Sequence, residues 1–89
     1  MVWRIEFTDA ARRDLGKLDP TIAKRILTYL VSRVAQADDP LSLGSGLKGN
    51  EFAGLWRYRV GDYRILTRIE RNIVTVFVIE IGHRREIYR

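Results

Sequence analysis

Cysteine is absent from this chain of 89 residues, and histidine occurs only once, at position 83. A protein without cysteine has neither a disulfide framework nor a thiolate zinc site, and a single histidine excludes a histidine-rich metal centre. The sequence also lacks an apolar run of the roughly 20 residues that a membrane-spanning helix needs. Its first residues alternate in polarity, unlike a signal peptide. We therefore expect a cytoplasmic protein that needs neither metal nor cofactor and has no membrane partner.

Acidic residues are in the minority, with 11 Asp and Glu against 16 Lys and Arg and a net charge of +5. The basic residues from position 55 onward are all arginines: Arg57, Arg59, Arg64, Arg68, Arg71, Arg84, Arg85 and Arg89. The guanidinium group is planar and matches phosphate oxygens with two parallel hydrogen bonds. This pattern predicts a polyanion or an acidic protein as partner. The alternative is a charge that only keeps the surface soluble.

The length and the 46% of hydrophobic residues suit one domain, residues 1–89, with one modest core. Alternating polarity predicts strands, and apolar residues at spacings of three and four predict helices. Thr8 and Asp9 are possible N-caps of the first helix, and Asp19-Pro20 is a typical start for the second. The predicted elements are a strand at 2–7, helices at 10–18 and 21–36, a Gly- and Ser-rich loop at 41–54, and strands at 55–60, 63–69 and 73–81.

The last three strands are predicted to form an antiparallel meander, because Gly61-Asp62 is a typical two-residue hairpin turn. The last strand is almost wholly apolar and should lie centrally, covered on both faces and ended by Gly82. The first strand is separated from the others by a helical hairpin and should pair in parallel with one of them. We therefore expect an α+β fold: one four-stranded mixed sheet with both helices on one face and the other face open.

The hairpin register predicts where the arginines meet. If Val60 pairs with Tyr63 across the turn, then Arg59 lies opposite Arg64. Arg57 shares the face of Arg59, since it is two residues away on the same strand. Like charges that face each other are unfavourable by themselves, so this arrangement indicates a bound anion.

Three segments carry a resemblance to a known family: Leu47-Lys48-Gly49, Leu55-Trp56-Arg57-Tyr58-Arg59-Val60-Gly61-Asp62-Tyr63-Arg64-Ile65, and Ile81-Gly82-His83-Arg84-Arg85-Glu86-Ile87-Tyr88. With these motifs in this order, the chain resembles the RelE/ParE superfamily of type II toxin–antitoxin toxins and is closer to RelE. The resemblance covers nearly the whole chain and implies a RelE-like, microbial-RNase-like fold. It implies one of two activities on this fold, a ribosome-dependent messenger-RNA endonuclease or a ParE-type gyrase poison.

For the nuclease, the resemblance implies cleavage without a metal, in which the 2′-hydroxyl attacks the phosphorus and leaves a cyclic phosphate. It implies catalytic roles for Arg57, Arg64, Arg84 and Tyr88. The residues that it implies in RNA or phosphate binding are Lys48, Arg59, His83 and Arg85. Family nucleases often carry lysine at the first strand position, where this chain has Arg57, and an arginine rarely deprotonates. The general base is therefore His83, Tyr88 or no dedicated group. The spacing from Arg84 to Tyr88 is also shorter than in some RelE-type members.

Each of these residues except Lys48 has an alternative role. Arg64 would pair with Glu80 or Asp62, and Arg57 and Arg59 would form a solvated strand face. Arg84 and Arg85 would contact only an antitoxin. Tyr88 would cover the edge of the core, and His83 would make a structural hydrogen bond.

All functional hypotheses include a partner. The superfamily resemblance implies a cognate antitoxin with an acidic C-terminal segment that is disordered until bound, and a toxin–antitoxin hetero-oligomer. The nuclease hypothesis adds the ribosome with its messenger RNA. A third hypothesis is a non-enzymatic module, either a toxin relic or a component of a DNA-binding corepressor.

Overall fold

The computed structural model describes residues 2–46 and 55–83, which form an α+β fold of two helices and a mixed sheet. The helices are α1, Asp9–Lys17, and α2, Pro20–Tyr29. The five strands of this part of the chain are β1, Arg4–Phe7; β2, Ser45–Gly46; β3, Leu55–Val60; β4, Tyr63–Glu70; and β5, Thr75–His83. The fold class predicted from the sequence is confirmed.

The strand order is β1-β5-β4-β3-β2, with β1 parallel to β5 and the other neighbours antiparallel. The parallel pairing of the first strand is confirmed. The prediction of four strands missed β2, which pairs Ser45 with Arg57 and Gly46 with Trp56. This pairing needs glycine, because a Cβ on Gly46 would lie 2.7 Å from the Trp56 ring. The segment predicted as a loop thus adds a short strand at the edge of the sheet.

Both helices begin where the sequence predicts. The Thr8 side chain accepts a hydrogen bond from the Ala11 N–H, and the Asp19 carboxylate accepts one from the Thr21 N–H at 2.9 Å. The second helix differs from the prediction in its last turns, because Leu30–Val34 is a π-helical turn rather than a continuation of α2. In this wider turn the Ala35 N–H donates to the Leu30 carbonyl, five residues back.

The hydrophobic core lies between the helices and one face of the sheet. It combines Ala11, Ile26, Leu30 and Val34 with alternate residues of the strands: Tyr58, Val60, Ile65, Val76, Val78 and Ile81. The alternation follows from the strand geometry, in which successive side chains point to opposite faces. The helices therefore cover one face, as predicted, and the arginines of β3 and β4 project from the other. Within the described ranges, no helix has the length and apolar character needed to cross a membrane.

The last strand differs from the prediction at both ends. Ile73 belongs to a 3-10 turn, and Val74 follows with φ 49° and ψ 50°, a left-handed conformation that keeps it out of the strand. At the other end Gly82 pairs with Arg64 instead of ending the strand, which continues to His83. The expected cover on both faces is also wrong, because Glu80 is exposed on the face opposite the helices. The apolar run therefore predicted the strand correctly but not its boundaries or its second face.

A β-bulge interrupts the alternation of the last strand. Leu66 pairs with Glu80 and Thr67 pairs with Val78, so Ile79 is an extra residue with no partner on β4. Val76 and Val78 face the core before the bulge, and the next residue to face the core after it is Ile81. The Ile79 carbonyl instead accepts a hydrogen bond from the Thr8 hydroxyl at 2.9 Å.

Asp14 of α1 accepts a hydrogen bond from β5 beyond the last residue of β5 that pairs with β1. Its Oδ2 accepts from the Ile81 N–H at 2.9 Å. Replacing Asp14 by alanine leaves that partly buried N–H without its partner, so we expect the free energy of unfolding to fall by about 1–3 kcal/mol. Urea denaturation followed by circular dichroism measures the loss. The exposed Asp38→Ala is the matched control and should change stability little. An equal loss in both variants would contradict this role.

Candidate functional site

Three arginines meet on the face of the sheet opposite the helices. Arg59 pairs directly with Arg64 across the β3–β4 hairpin, and Arg57 pairs with Leu66. Direct partners in an antiparallel pair share a face, with Cβ atoms about 4.5–5.5 Å apart. The predicted register is confirmed, so three guanidinium groups are carried by neighbouring positions of a rigid hairpin.

The arginines form one side of a cavity of about 540 Å³. Its described lining residues come from β2, β3, β4 and the segment before β2: Ser42, Leu43, Gly44, Ser45, Arg57, Arg59 and Arg64. This part of the lining has three cations, two hydroxyl groups and no carboxylate. Its volume falls in the range of ordinary ligand sites. Guanidinium groups that converge on one space are suited to a phosphate group. The Ser42 hydroxyl donates to the Asp39 carbonyl at 2.7 Å.

Two of the three guanidinium groups are held by hydrogen bonds. Arg57 Nη2 donates to Ser45 Oγ at 3.1 Å. Arg64 Nη1 lies 3.3 Å from the Tyr63 carbonyl and 3.4 Å from the Gly61 carbonyl. These acceptors are neutral, so the hydrogen bonds orient each group and add no negative charge to the cavity.

The opposite wall of the cavity is the segment Pro40–Gly46, which two aromatic side chains of β3 hold in place. The Tyr58 hydroxyl donates to the Pro40 carbonyl at 2.7 Å, and Trp56 Nε1 donates to the Leu41 carbonyl at 3.2 Å. Tyr58 is fully buried, and this burial raises its pKa well above the ordinary value, with smaller contributions from Tyr29 and Asp39. The hydroxyl therefore stays protonated and keeps its donor role. The core face of β3 fixes the wall, while its other face carries the arginines.

Ser42 and Ser45 were not among the residues predicted for the site. A Gly- and Ser-rich segment such as 41–54 predicts a loop, and this pattern does not distinguish the two serines from their neighbours. The alternating Gly44-Ser45-Gly46 was the available signal, because two glycines that flank one serine indicate a backbone packed closely on a large side chain. That side chain is Trp56, beneath both glycines.

Gly44 is the position at which a side chain would disturb this wall most. A Cβ there would lie 2.3 Å from the Arg57 carbonyl oxygen, which is backbone and has little room to move. We expect Gly44→Ala to displace β2 from β3 and to lower stability by about 1–3 kcal/mol. Gly16→Ala is the control, because its Cβ meets nothing within 4 Å. Within a helix this exchange should stabilise by up to about 1 kcal/mol. Thermal unfolding of both variants measures the difference, and the hypothesis fails if Gly44→Ala is as stable as the parent.

His83 lies on the other face of the sheet, away from the three arginines. It pairs with Tyr63, and the two rings meet edge to face with centroids 5.6 Å apart. Together they line a separate cavity of about 320 Å³ beside Asp14 and Lys17 of α1. The alternation along β5, shifted by the bulge, puts His83 on the side of the helices. The sequence-predicted site residues Arg57, Arg59 and Arg64 are thus brought together, and His83 is not.

The other sequence-predicted site residues lie outside the described part of the chain. These are Lys48, Arg84, Arg85 and Tyr88. Their roles stay predictions from the resemblance.

Comparison with known proteins gives concordant similarities. Residues 5–88 match the family described as the ParE toxin of the type II toxin–antitoxin system, parDE. The chain is 37% identical to toxin RelG of Mycobacterium tuberculosis over 89 residues, covering all of this chain and 99% of that one. It is 31% identical to toxin RelE of the same organism over 87 residues, covering 98% and 87% of the two chains.

Solved structures show the same similarity in three dimensions. A chain of the toxin–antitoxin complex RelBE2 from Mycobacterium tuberculosis aligns with a TM-score of 0.86 at 32% identity, covering 97% of this chain and 95% of that chain. A mutant of Escherichia coli toxin RelE in the free state aligns with a TM-score of 0.76, covering 99% and 88%. At 22% identity the second likeness concerns the fold alone.

Proposed function

The chain belongs to the RelE/ParE superfamily of type II toxin–antitoxin toxins and is closer to RelE, and from this premise we propose that it cleaves messenger RNA on the ribosome without a metal. The observation that carries the proposal is the cavity in which Arg57, Arg59 and Arg64 converge on a helix-free face of the sheet. Cleavage would stop translation and arrest growth.

The chemistry proceeds through attack of the 2′-hydroxyl on the adjacent phosphorus. Negative charge builds on the phosphoryl oxygens in the transition state, and donors already oriented toward that charge stabilise it most. Arg57 and Arg64 supply such donors, and Arg59 holds the phosphate from the neighbouring strand position. As the bond from the 2′-oxygen to phosphorus forms, the bond from phosphorus to the 5′-oxygen breaks. The 2′-hydroxyl gives up its proton and the 5′-oxygen takes one up, so the products are a 2′,3′-cyclic phosphate and a 5′-hydroxyl.

The remaining roles follow from the family resemblance. Arg84 joins the stabilising arginines, and Tyr88 stacks on a base or orients the substrate. Lys48 and Arg85 contact the RNA backbone. His83 faces α1 across the sheet from the arginine cavity, which favours Tyr88, or the absence of a dedicated base, for removal of the 2′-hydroxyl proton.

The cytoplasmic partners in this proposal are the ribosome with its messenger RNA and a cognate antitoxin. Similar chains occur in toxin–antitoxin complexes, among them RelBE2 of Mycobacterium tuberculosis and RelBE of Escherichia coli. An acidic antitoxin segment is complementary to the three arginines and would block the cavity in a hetero-oligomer.

Primer extension on a messenger RNA translated in a cell-free system tests the nuclease directly. Addition of the purified protein should create new ends inside codons, and these ends should carry a 5′-hydroxyl. The same messenger RNA without ribosomes is the control and should stay intact. Intact messenger RNA alongside undisturbed translation would exclude this function.

A gyrase poison is the second candidate function, favoured by the match of residues 5–88 to the ParE toxin family. In that case the arginine face would bind a protein surface, and the toxin would inhibit supercoiling and induce DNA damage while messenger RNA stays whole. A supercoiling assay with purified gyrase distinguishes the two activities. If neither activity nor growth arrest is found, the protein is a non-enzymatic module.

A further inference from the structure

The hydrogen bond between Ser45 and Arg57 joins the two walls of the arginine cavity. Arg57 Nη2 donates to Ser45 Oγ at 3.1 Å. The two residues are direct partners in the β2–β3 pairing, and both line the cavity. The bond therefore crosses from the segment Pro40–Gly46 to the strand that carries the arginines.

Ser45 is itself fixed by the backbone on either side. Gly44 and Gly46 lie against the Trp56 ring so closely that neither position has room for a Cβ. Trp56 in turn donates to the Leu41 carbonyl at 3.2 Å. The serine hydroxyl thus has a defined position relative to β3, although its side chain is exposed.

An arginine side chain gains from such a fixed acceptor. Its long stem has many rotamers, and a donor stabilises a transition state best when it does not have to be ordered during the reaction. A serine oxygen is neutral, so its hydrogen bond orients the guanidinium without placing a negative charge beside a phosphate. A carboxylate at this position would orient Arg57 equally well but would oppose an anion.

We propose that Ser45 is a positioning residue that holds the Arg57 guanidinium toward a scissile phosphate in the cavity. This inference rests on the proposed function, and it adds a residue from outside the arginine-bearing hairpin. Ser45 acts through Arg57, so its effect depends on Arg57 being present.

A double-mutant cycle in single-turnover cleavage of ribosome-bound messenger RNA tests the proposal. Ser45→Ala should lower the maximal rate roughly tenfold, the loss of one hydrogen bond to a charged group. The toxin concentration at half-maximal rate should change little, because the bond matters most in the transition state. Ser45→Thr keeps the hydroxyl and should restore the rate. In an Arg57→Ala background, Ser45→Ala should have no further effect.

A second measurement separates positioning from activity. In nuclear magnetic resonance relaxation, the order parameter of the Arg57 Nε–H should fall in Ser45→Ala and return in Ser45→Thr. Ser32→Ala, an exposed serine of the π-helical turn, is the control that should change neither reading. If the wild type does not cleave but Arg57 loses order in Ser45→Ala, the proposed function fails and the positioning role stands. An unchanged order parameter, or an equal rate loss with and without Arg57, would overturn the proposal.

Discussion

Replacing Arg64 by alanine is expected to lower the rate of messenger-RNA cleavage by about 100- to 1000-fold, the usual cost of removing one oriented donor from a developing oxyanion. Arg64 faces Arg59 across the hairpin and lines the cavity. Its guanidinium lies within hydrogen-bonding distance of two backbone carbonyls, those of Gly61 and Tyr63. The fold should survive, because Arg64 projects from the face opposite the core. Primer extension against a dilution series of toxin measures the rate, and growth after induction gives the same result in cells.

Arg68→Ala is the matched control for this prediction. Arg68 lies on the same strand and the same face, four residues further along, but is not among the residues that line the cavity. Its loss removes the same charge from the protein, so a long-range effect of net charge would appear equally in both variants. Arg64→Lys should be intermediate, since lysine keeps the charge and loses the planar fork. Cleavage by Arg64→Ala at the rate of Arg68→Ala would refute the assignment.

The arginine pair was predictable because a tight turn determines it locally. Two residues, Gly61 and Asp62, connect β3 and β4, so the partners on either side follow by counting. Gly61 has φ +60°, and two-residue hairpin turns require a positive φ at their first residue. The helix starts at Thr8 and Asp19 were local in the same way, since each cap is made by a side chain within three residues.

The parts that the sequence did not predict depend on contacts between distant segments. At the bulge, the Ile79 carbonyl accepts a hydrogen bond from the hydroxyl of Thr8, which is 71 positions away in the chain. Because of that bulge, His83 lies on the face that the helices cover. The sequence around His83 does not predict the bulge. Ser42 and Ser45 enter the cavity because Tyr58 and Trp56 hold the segment before them. The sequence contains each of these residues, but it does not show which distant residue each one contacts, and those contacts determine their roles.

Tyr58 connects the core to the cavity, and Tyr58→Ala is expected to cost about 3–5 kcal/mol of unfolding free energy. The ring is fully buried, and its centroid lies 6.3 Å from the centroid of the Tyr29 ring. Alanine would therefore leave a large cavity in the core. The lost hydroxyl also leaves the Pro40 carbonyl without its donor. A domain of this size has only about 5–15 kcal/mol of stability in total, so the variant should lose a large share of it and unfold at a markedly lower temperature than the wild type.

Tyr58→Phe separates the ring from the hydroxyl. It keeps the packing and removes only the hydrogen bond to Pro40, so it should cost about 1–3 kcal/mol. Because that bond anchors the wall that carries Ser42 and Ser45, the folded Phe variant should also cleave more slowly than its stability alone accounts for. Denaturant unfolding and cleavage by the folded variant, both measured at neutral pH, give the two effects. If Tyr58→Phe matches the wild type in both, Tyr58 only fills the core, and the wall of the cavity is held by Trp56 and the β2 pairing without it.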